Sequence, residues 1–342
     1  GDVVQRAYMV ADHGGCVVME ISNESPTAVV VAVPTSGLVS DAAAAPTEPR
    51  GFNLPSDVRA FPLAHRSTVR FTWRVDGASA AWPADTIASA SQVARGWSSA
   101  CERASRVTLG AQSLIAARCA LLLAPARELD DLLQQDAARG VIAIAERVRM
   151  GEPAALHANQ LADAVRRVLR KPSAEWASRS LVQAARVLTV ADQSLASSDV
   201  AAAWAGTFGA ASVGGAARIS GDNNIRDIAD AANNADAANT VVEAVDAVAG
   251  AEDSFVRAVT PHEAELFAHG LADAWRGVNF EAHGLVAGPQ HAVSLAVRWH
   301  GPNAALLWEV DGPPGLQLRA PRVDTAFVAS RQRGEGLLRV GS

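Results

Sequence analysis

Apolar and polar positions follow two different rhythms along this chain. In Thr68-Val69-Arg70-Phe71-Thr72-Trp73-Arg74 they alternate, which puts Val69, Phe71 and Trp73 on one face of a strand and the arginines on the other. Strand-like runs of the same kind cover residues 3–9, 16–21, 28–33 and 58–63. The turn formers Ser22-Asn23-Glu24-Ser25-Pro26 predict a hairpin between the second and third runs. Residues 41–55, rich in alanine and proline and without periodicity, read as a long loop.

The rhythm changes at Trp82-Pro83-Ala84-Asp85-Thr86, where Asp85 can cap a helix carrying Ile87, Val93, Trp97 and Cys101 on one stripe. Further helices are predicted over residues 112–124, 126–137, 140–150, 153–170, 173–193, 198–208, 225–249 and 261–270, punctuated by Pro125, Gly151, Pro172 and Gly209. Leu161, Val165 and Val168 share a stripe with Leu156 and Leu169, and Trp176, Leu181, Val182, Val187 and Leu188 repeat the pattern beyond Lys171-Pro172-Ser173. The two read as an antiparallel helical hairpin. Residues 210–224 read as a loop. In Thr260-Pro261-His262-Glu263, Thr260 is read as a cap and Glu263 as the second half of a capping box.

After Trp275-Arg276-Gly277 the alternation returns over residues 278–282, 292–299, 304–310, 316–318 and 337–340. The fold class that follows is α+β: a sandwich-like β segment (1–84), an all-α domain of helical hairpins (85–277) and a C-terminal antiparallel β unit (278–342). The last either pairs with the first segment or stands apart.

Composition narrows the functions open to such a chain. Hydrophobic residues make up 49% and charged residues 19%, which fits a globular protein and not a disordered one. The longest apolar stretch, around Leu114 to Ala126, is broken by Arg118 and is too short to span a bilayer, so no membrane partner is expected. A net charge of −6 without a basic block argues against nucleic acid. Arg166, Arg167, Arg170 and Lys171 close a helix and read as a solvated end. The first residues show neither the basic start nor the apolar run of a secretory leader, and the expectation is a cytoplasmic protein, or a secreted one whose leader has been removed. Cys16, Cys101 and Cys119 lack metal-like spacing and read as buried thiols in a reducing compartment. No phosphate-binding glycine loop, nucleophile elbow or dinucleotide fingerprint occurs in a credible setting, so no cofactor is expected. His283, His300, Glu281 and Glu309 fall in strands whose facing alternation leaves open, and no metal site is assigned.

The run Val293-Ser294-Leu295-Ala296-Val297-Arg298-Trp299-His300-Gly301, followed by Ala305-Leu306-Leu307-Trp308-Glu309-Val310, resembles the closing β unit of bacterial six-hairpin glycosidase-like proteins. The order of β segment, helical hairpins and closing β unit resembles their layout as well. The resemblance implies a partial α/α toroid, a carbohydrate ligand, and hydrolysis by two carboxylates flanking the sugar bond. Glu252 and Asp253, in Gly250-Ala251-Glu252-Asp253-Ser254, read as a loop between helices, where toroids carry their active groups, and are the candidate catalytic pair. Helix capping is the other account of them, and the one placed ahead. Trp176, Trp204 and Trp275 are candidates to stack on sugar rings, or core residues on apolar stripes. Asp130, Asp131 and Glu146 read as solvated helix faces. Two functions stand: a non-catalytic binding or scaffold protein on a glycosidase-like layout, placed first, and a carbohydrate-active hydrolase.

Overall fold

The computed structural model describes residues 2–11, 14–46, 51, 53–76, 86–209, 240–301 and 303–340. The expected cap at Asp85, the 210–224 loop and the first half of the 225–249 helix lie outside them. The chain divides into two compact units, Gly1–Trp97 and Ser98–Ser342. The helical region and the last β segment therefore form one body, where the sequence suggested two.

In the first unit, strands β1 (Val3–Val10), β2 (Cys16–Asn23), β4 (Leu38–Ser40) and β6 (Thr68–Arg74) form a sheet ordered β1-β2-β6-β4, and β3 (Val29–Pro34) pairs with β5 (Val58–Leu63) in a second. The sheets meet through Ile21, Val69 and Phe71 on one side and Val33, Phe61 and Leu63 on the other, with the Phe61 and Phe71 rings edge to face at 4.9 Å. The expected hairpin between β2 and β3 does not form. β2 pairs instead with β1 and β6. The turn is a corner between sheets, held by the Asn23 carboxamide, which donates to Thr27 O (2.8 Å) and Ala64 O (3.1 Å) and accepts from Ser25 Oγ (2.6 Å). Turn chemistry was right; the partner across it was wrong.

Helix α1 (Ala90–Glu102) spans the division between the units. In the second unit follow β7 (Arg106–Val107), α2 (Ala111–Leu123), α3 (Ala126–Gln135), α4 (Ala137–Arg149), α5 (Ala158–Arg170), α6 (Ala177–Val190), α7 (Ser194–Phe208) and α8 (Val241–Phe255), eight α-helices in all among the described residues. The 153–170 and 173–193 segments make the expected hairpin as α5 and α6, whose inner faces bury Leu161, Val165, Leu181 and Val182. α8 opens on a capping box, with Thr240 Oγ1 accepting from Glu243 N and Glu243 from Thr240 N.

The helix expected at 261–270 is a strand. α8 runs without a loop into β8 (Val256–Thr260), which pairs with β9 (Glu263–Leu266). Thr260 Oγ1 accepts from His262 N at 3.2 Å, a turn contact and not a helix cap. β13 (Gln317–Ala320) lies parallel to β9 and pairs with β14 (Asp324–Ala329), giving the order β14-β13-β9-β8. β10 (Phe280–Val286), β11 (Ala292–His300) and β12 (Asn303–Asp311) form a meander, with β15 (Arg333–Leu338) beyond β12 and β7 beyond β10, in the order β15-β12-β11-β10-β7. The strands of 278–342 thus pair with one another, with β7 and with β9. Alternation buries Val293, Leu295 and Val297 of β11, and both sheets share one core with α2 and α8.

Candidate functional site

The last turn of α8 holds the two carboxylates singled out in the sequence, in a helix and not in a loop. Glu252 is 1% exposed. A buried carboxylate must be paired and hydrogen-bonded or give up its charge. Glu252 is paired on both oxygens. Its Oε1 accepts from Ser105 Oγ (2.6 Å), Arg118 Nη2 (2.8 Å) and Arg149 Nη2 (2.9 Å), and its Oε2 from Arg149 Nη1 (3.1 Å) and from Arg179. Burial opposes the charge, but the guanidinium charges of Arg149, Arg179 and Arg118 outweigh it and hold the carboxyl well below the ordinary glutamate range.

Each arginine arrives on a different helix and grips a second anchor. Arg118 of α2 donates to Glu146 (3.1 Å) and to the carbonyls of Ser105 (2.7 Å) and Cys101 (3.2 Å). Arg149 of α4 pairs with Glu146 one turn earlier and donates to Ala104 O (2.5 Å) and Gly284 O (3.2 Å). Gly284 sits at the irregularity in β10 with φ +69°, a backbone shape that suits glycine and aims its carbonyl at the cluster. Arg179 of α6 bridges Glu252 and Asp253. Glu146 is fully buried, so the expectation of a solvated face is corrected: it sits on the apolar stripe of α4 because Arg118 and Arg149 meet it there.

Asp253 differs from its neighbour. Burial pushes its carboxyl up, and the charge of Arg179 offsets this only in part. It also lines a cavity of about 520 Å³. Ala174, Val182, Phe208 and Val286 give the cavity apolar wall, and Glu175, Arg179, Asp253 and Arg257 give it charge. Trp176 lines it too, with its Nε1 donating to Asp246 (2.9 Å), which is in turn clamped by Arg139 (2.7 Å). Neutral and charged groups converging on one concave surface are the usual make-up of a small-molecule site.

Of the residues proposed from sequence, Asp253 and Trp176 come together at this cavity, and Glu252 lies behind it. Trp204 and Trp275 do not line it. Trp204 is fully buried, its Nε1 donating to Ser178 Oγ at 2.9 Å, and Trp275 stacks on Phe255 with ring centres 5.0 Å apart. Sequence reading missed Ser105, Arg118, Arg149 and Arg179. Arg118, a lone charge inside an apolar run, and Glu146, a lone charge after Val141-Ile142-Ala143-Ile144-Ala145, were the visible signal: two opposite charges on apolar stripes imply a buried pair. Glu281 is taken by Arg298 and His283, and Glu309 by Arg333; no group of three or more metal-ligating side chains occurs among the described residues. No helix of the described residues is long and apolar enough to cross a membrane. Comparison with protein-family models, curated proteins and solved structures finds no match.

Proposed function

We propose that the protein is a non-catalytic binding protein, holding a small ligand of the carbohydrate class in the cavity beside Trp176 and Asp253. The observation that supports this reading is the state of the carboxylates. Glu252 is locked by three arginines and Asp253 by one, so the groups that would have to move protons are already committed to ion pairs. What the cavity offers a ligand is an aromatic wall whose ring is fixed by Asp246, together with charged groups able to bond hydroxyls. A pyranose has the matching faces, C–H on one side and O–H at its rim. On this reading the helical layer corresponds to part of an α/α toroid, as the likeness of the closing β unit implies.

The test is calorimetry of the full chain against a panel of mono- and disaccharides. Binding should appear, and Trp176→Ala should weaken it by roughly tenfold or more, the loss typical of a buried aromatic anchor. No binding across the panel would sink the carbohydrate assignment.

Glycoside hydrolysis is the second reading, favoured by one observation: Asp253 lines the cavity wall, where burial raises its pKa against the charge of Arg179. It expects sugar release from aryl glycosides that Asp253→Asn abolishes. Binding without release leaves the first reading in place.

A further inference from the structure

Two of the three cysteines lie side by side, away from the cavity. Cys101 ends α1 and Cys119 is in the middle of α2, and their Sγ atoms are 3.7 Å apart across a span of 18 residues. Cys101 is fully buried, and its Sγ also faces the Ile115 carbonyl oxygen at 3.8 Å; Cys119 is half-buried. Bonded sulfurs stand ~2 Å apart, so closure requires an approach of about 1.7 Å, within reach of small side-chain torsions.

We propose that Cys101 and Cys119 are a redox pair that closes reversibly to a disulfide, taking its oxidising equivalents from a small-molecule disulfide of the glutathione class. The two thiols are not equivalent. The contact between the two thiols, in which either can donate, lowers the Cys119 pKa to about 7 although burial acts against it. The same contact, with burial, pushes Cys101 up. Cys119 is thus both the less buried residue and the one whose pKa falls toward neutrality, the two requirements for the attacking group.

The exchange balances in two steps. The Cys119 thiolate attacks one sulfur of the external disulfide, forming a mixed disulfide and expelling one external thiolate. Cys101 then yields its proton to that thiolate, and its sulfur attacks Cys119, forming the Cys101–Cys119 bond and releasing the second external thiolate. The chain loses two electrons and the external disulfide gains them. The new bond would tie the end of α1 to α2 one residue from Arg118, which already grips the Cys101 carbonyl and Glu252.

The experiment equilibrates the full chain in glutathione buffers of graded oxidised-to-reduced ratio, traps free thiols by alkylation and maps peptides by mass. Expected are a peptide linked through Cys101 and Cys119 with two hydrogens lost, reversal on return to reducing buffer, and a higher denaturant midpoint for the oxidised chain. Cys101→Ser should stop at the glutathione adduct on Cys119, and Cys119→Ser should consume neither reagent nor thiol. The proposal is overturned if both residues stay alkylatable at the most oxidising ratio, or if the unmutated chain halts at the mixed disulfide. The mapping of the unmutated chain decides even if a variant fails to fold.

Discussion

Glu252 keeps a full negative charge where water is excluded, and charge balance explains how. Arg118, Arg149 and Arg179 face Glu146, Glu252 and Asp253, three cations against three anions, with backbone carbonyls of residues 101, 104, 105 and 284 accepting further donors of Arg118 and Arg149, while Arg179 Nε is buried without a hydrogen-bond partner among the described residues. Arg186, outside this count, donates only to the carbonyls of Gly288 and His291, and burial followed by the charge of Arg149 lowers its pKa. Removing one partner strands the others, so Glu252→Gln should cost about 3–5 kcal/mol, measured by urea unfolding at neutral pH. The sign of the pH dependence follows. The Glu252 pKa is lower folded than unfolded, so its stabilisation is complete above the unfolded value of about 4.3 and is lost as pH falls through the folded one. Glu252→Gln should flatten the acid limb of the stability profile. Asp253 acts in the opposite sense: its raised pKa favours folding most at low pH and less as pH rises. An acid limb as steep in the variant as in the parent would show that Glu252 is not the residue responsible.

Between elements, α3 and α4 approach closely and are joined through Asp136 alone; its carboxylate accepts from the amides of Ala138 (3.1 Å) and Arg139 (3.2 Å). A Cβ on Gly140 would stand 2.8 Å from the Leu133 Cα, backbone that cannot step aside. Gly140→Ala should therefore destabilise by about 1–3 kcal/mol in urea, although alanine is the better helix former. An unchanged midpoint would mean that the helices part freely here. This scale also divides what sequence could tell from what it could not. Alternation found β6 and β11 because one side of each is buried, and helical stripes found α5 and α6 for the same reason. Thr240-Val241-Val242-Glu243 and Thr260-Pro261-His262-Glu263 share one spelling, yet the first opens a helix and the second a β-turn. Local chemistry permits both; the difference is that Ala264 and Leu266 have the neighbouring β8 to pair with and Ala264 also has β13, a partner far off in sequence. The arginine clasp was hidden for the same reason: separate segments supply it, and although Arg118 and Glu146 stand out on apolar stripes, Arg149 and Arg179 read alone as ordinary charged positions. For the cavity, sequence named Asp253 and Trp176 without showing that they meet.

At the scale of the molecule, each unit has a core of its own: Ile21, Phe61 and Phe71 in the first, and the clusters around Val245, Leu295 and Leu306 and around Leu161 and Leu181 in the second. Damage to the clasp should therefore stay local. Hydrogen exchange followed by mass spectrometry should show Glu252→Gln accelerating α2, α4, α6 and α8 while β1, β2 and β6 exchange as before, and equal acceleration in both units would refute the division. One junction sets a limit on how this chain can change over time. Because Phe255 ends a helix and Val256 begins a strand with nothing between, a single inserted residue would swing the preceding carboxylates by about 100° relative to the sheet, or turn β8 inside out. Substitutions can be absorbed at that joint one at a time, but changes of length cannot, and drift in this lineage should leave the spacing from Glu252 to β9 fixed while the letters around it vary.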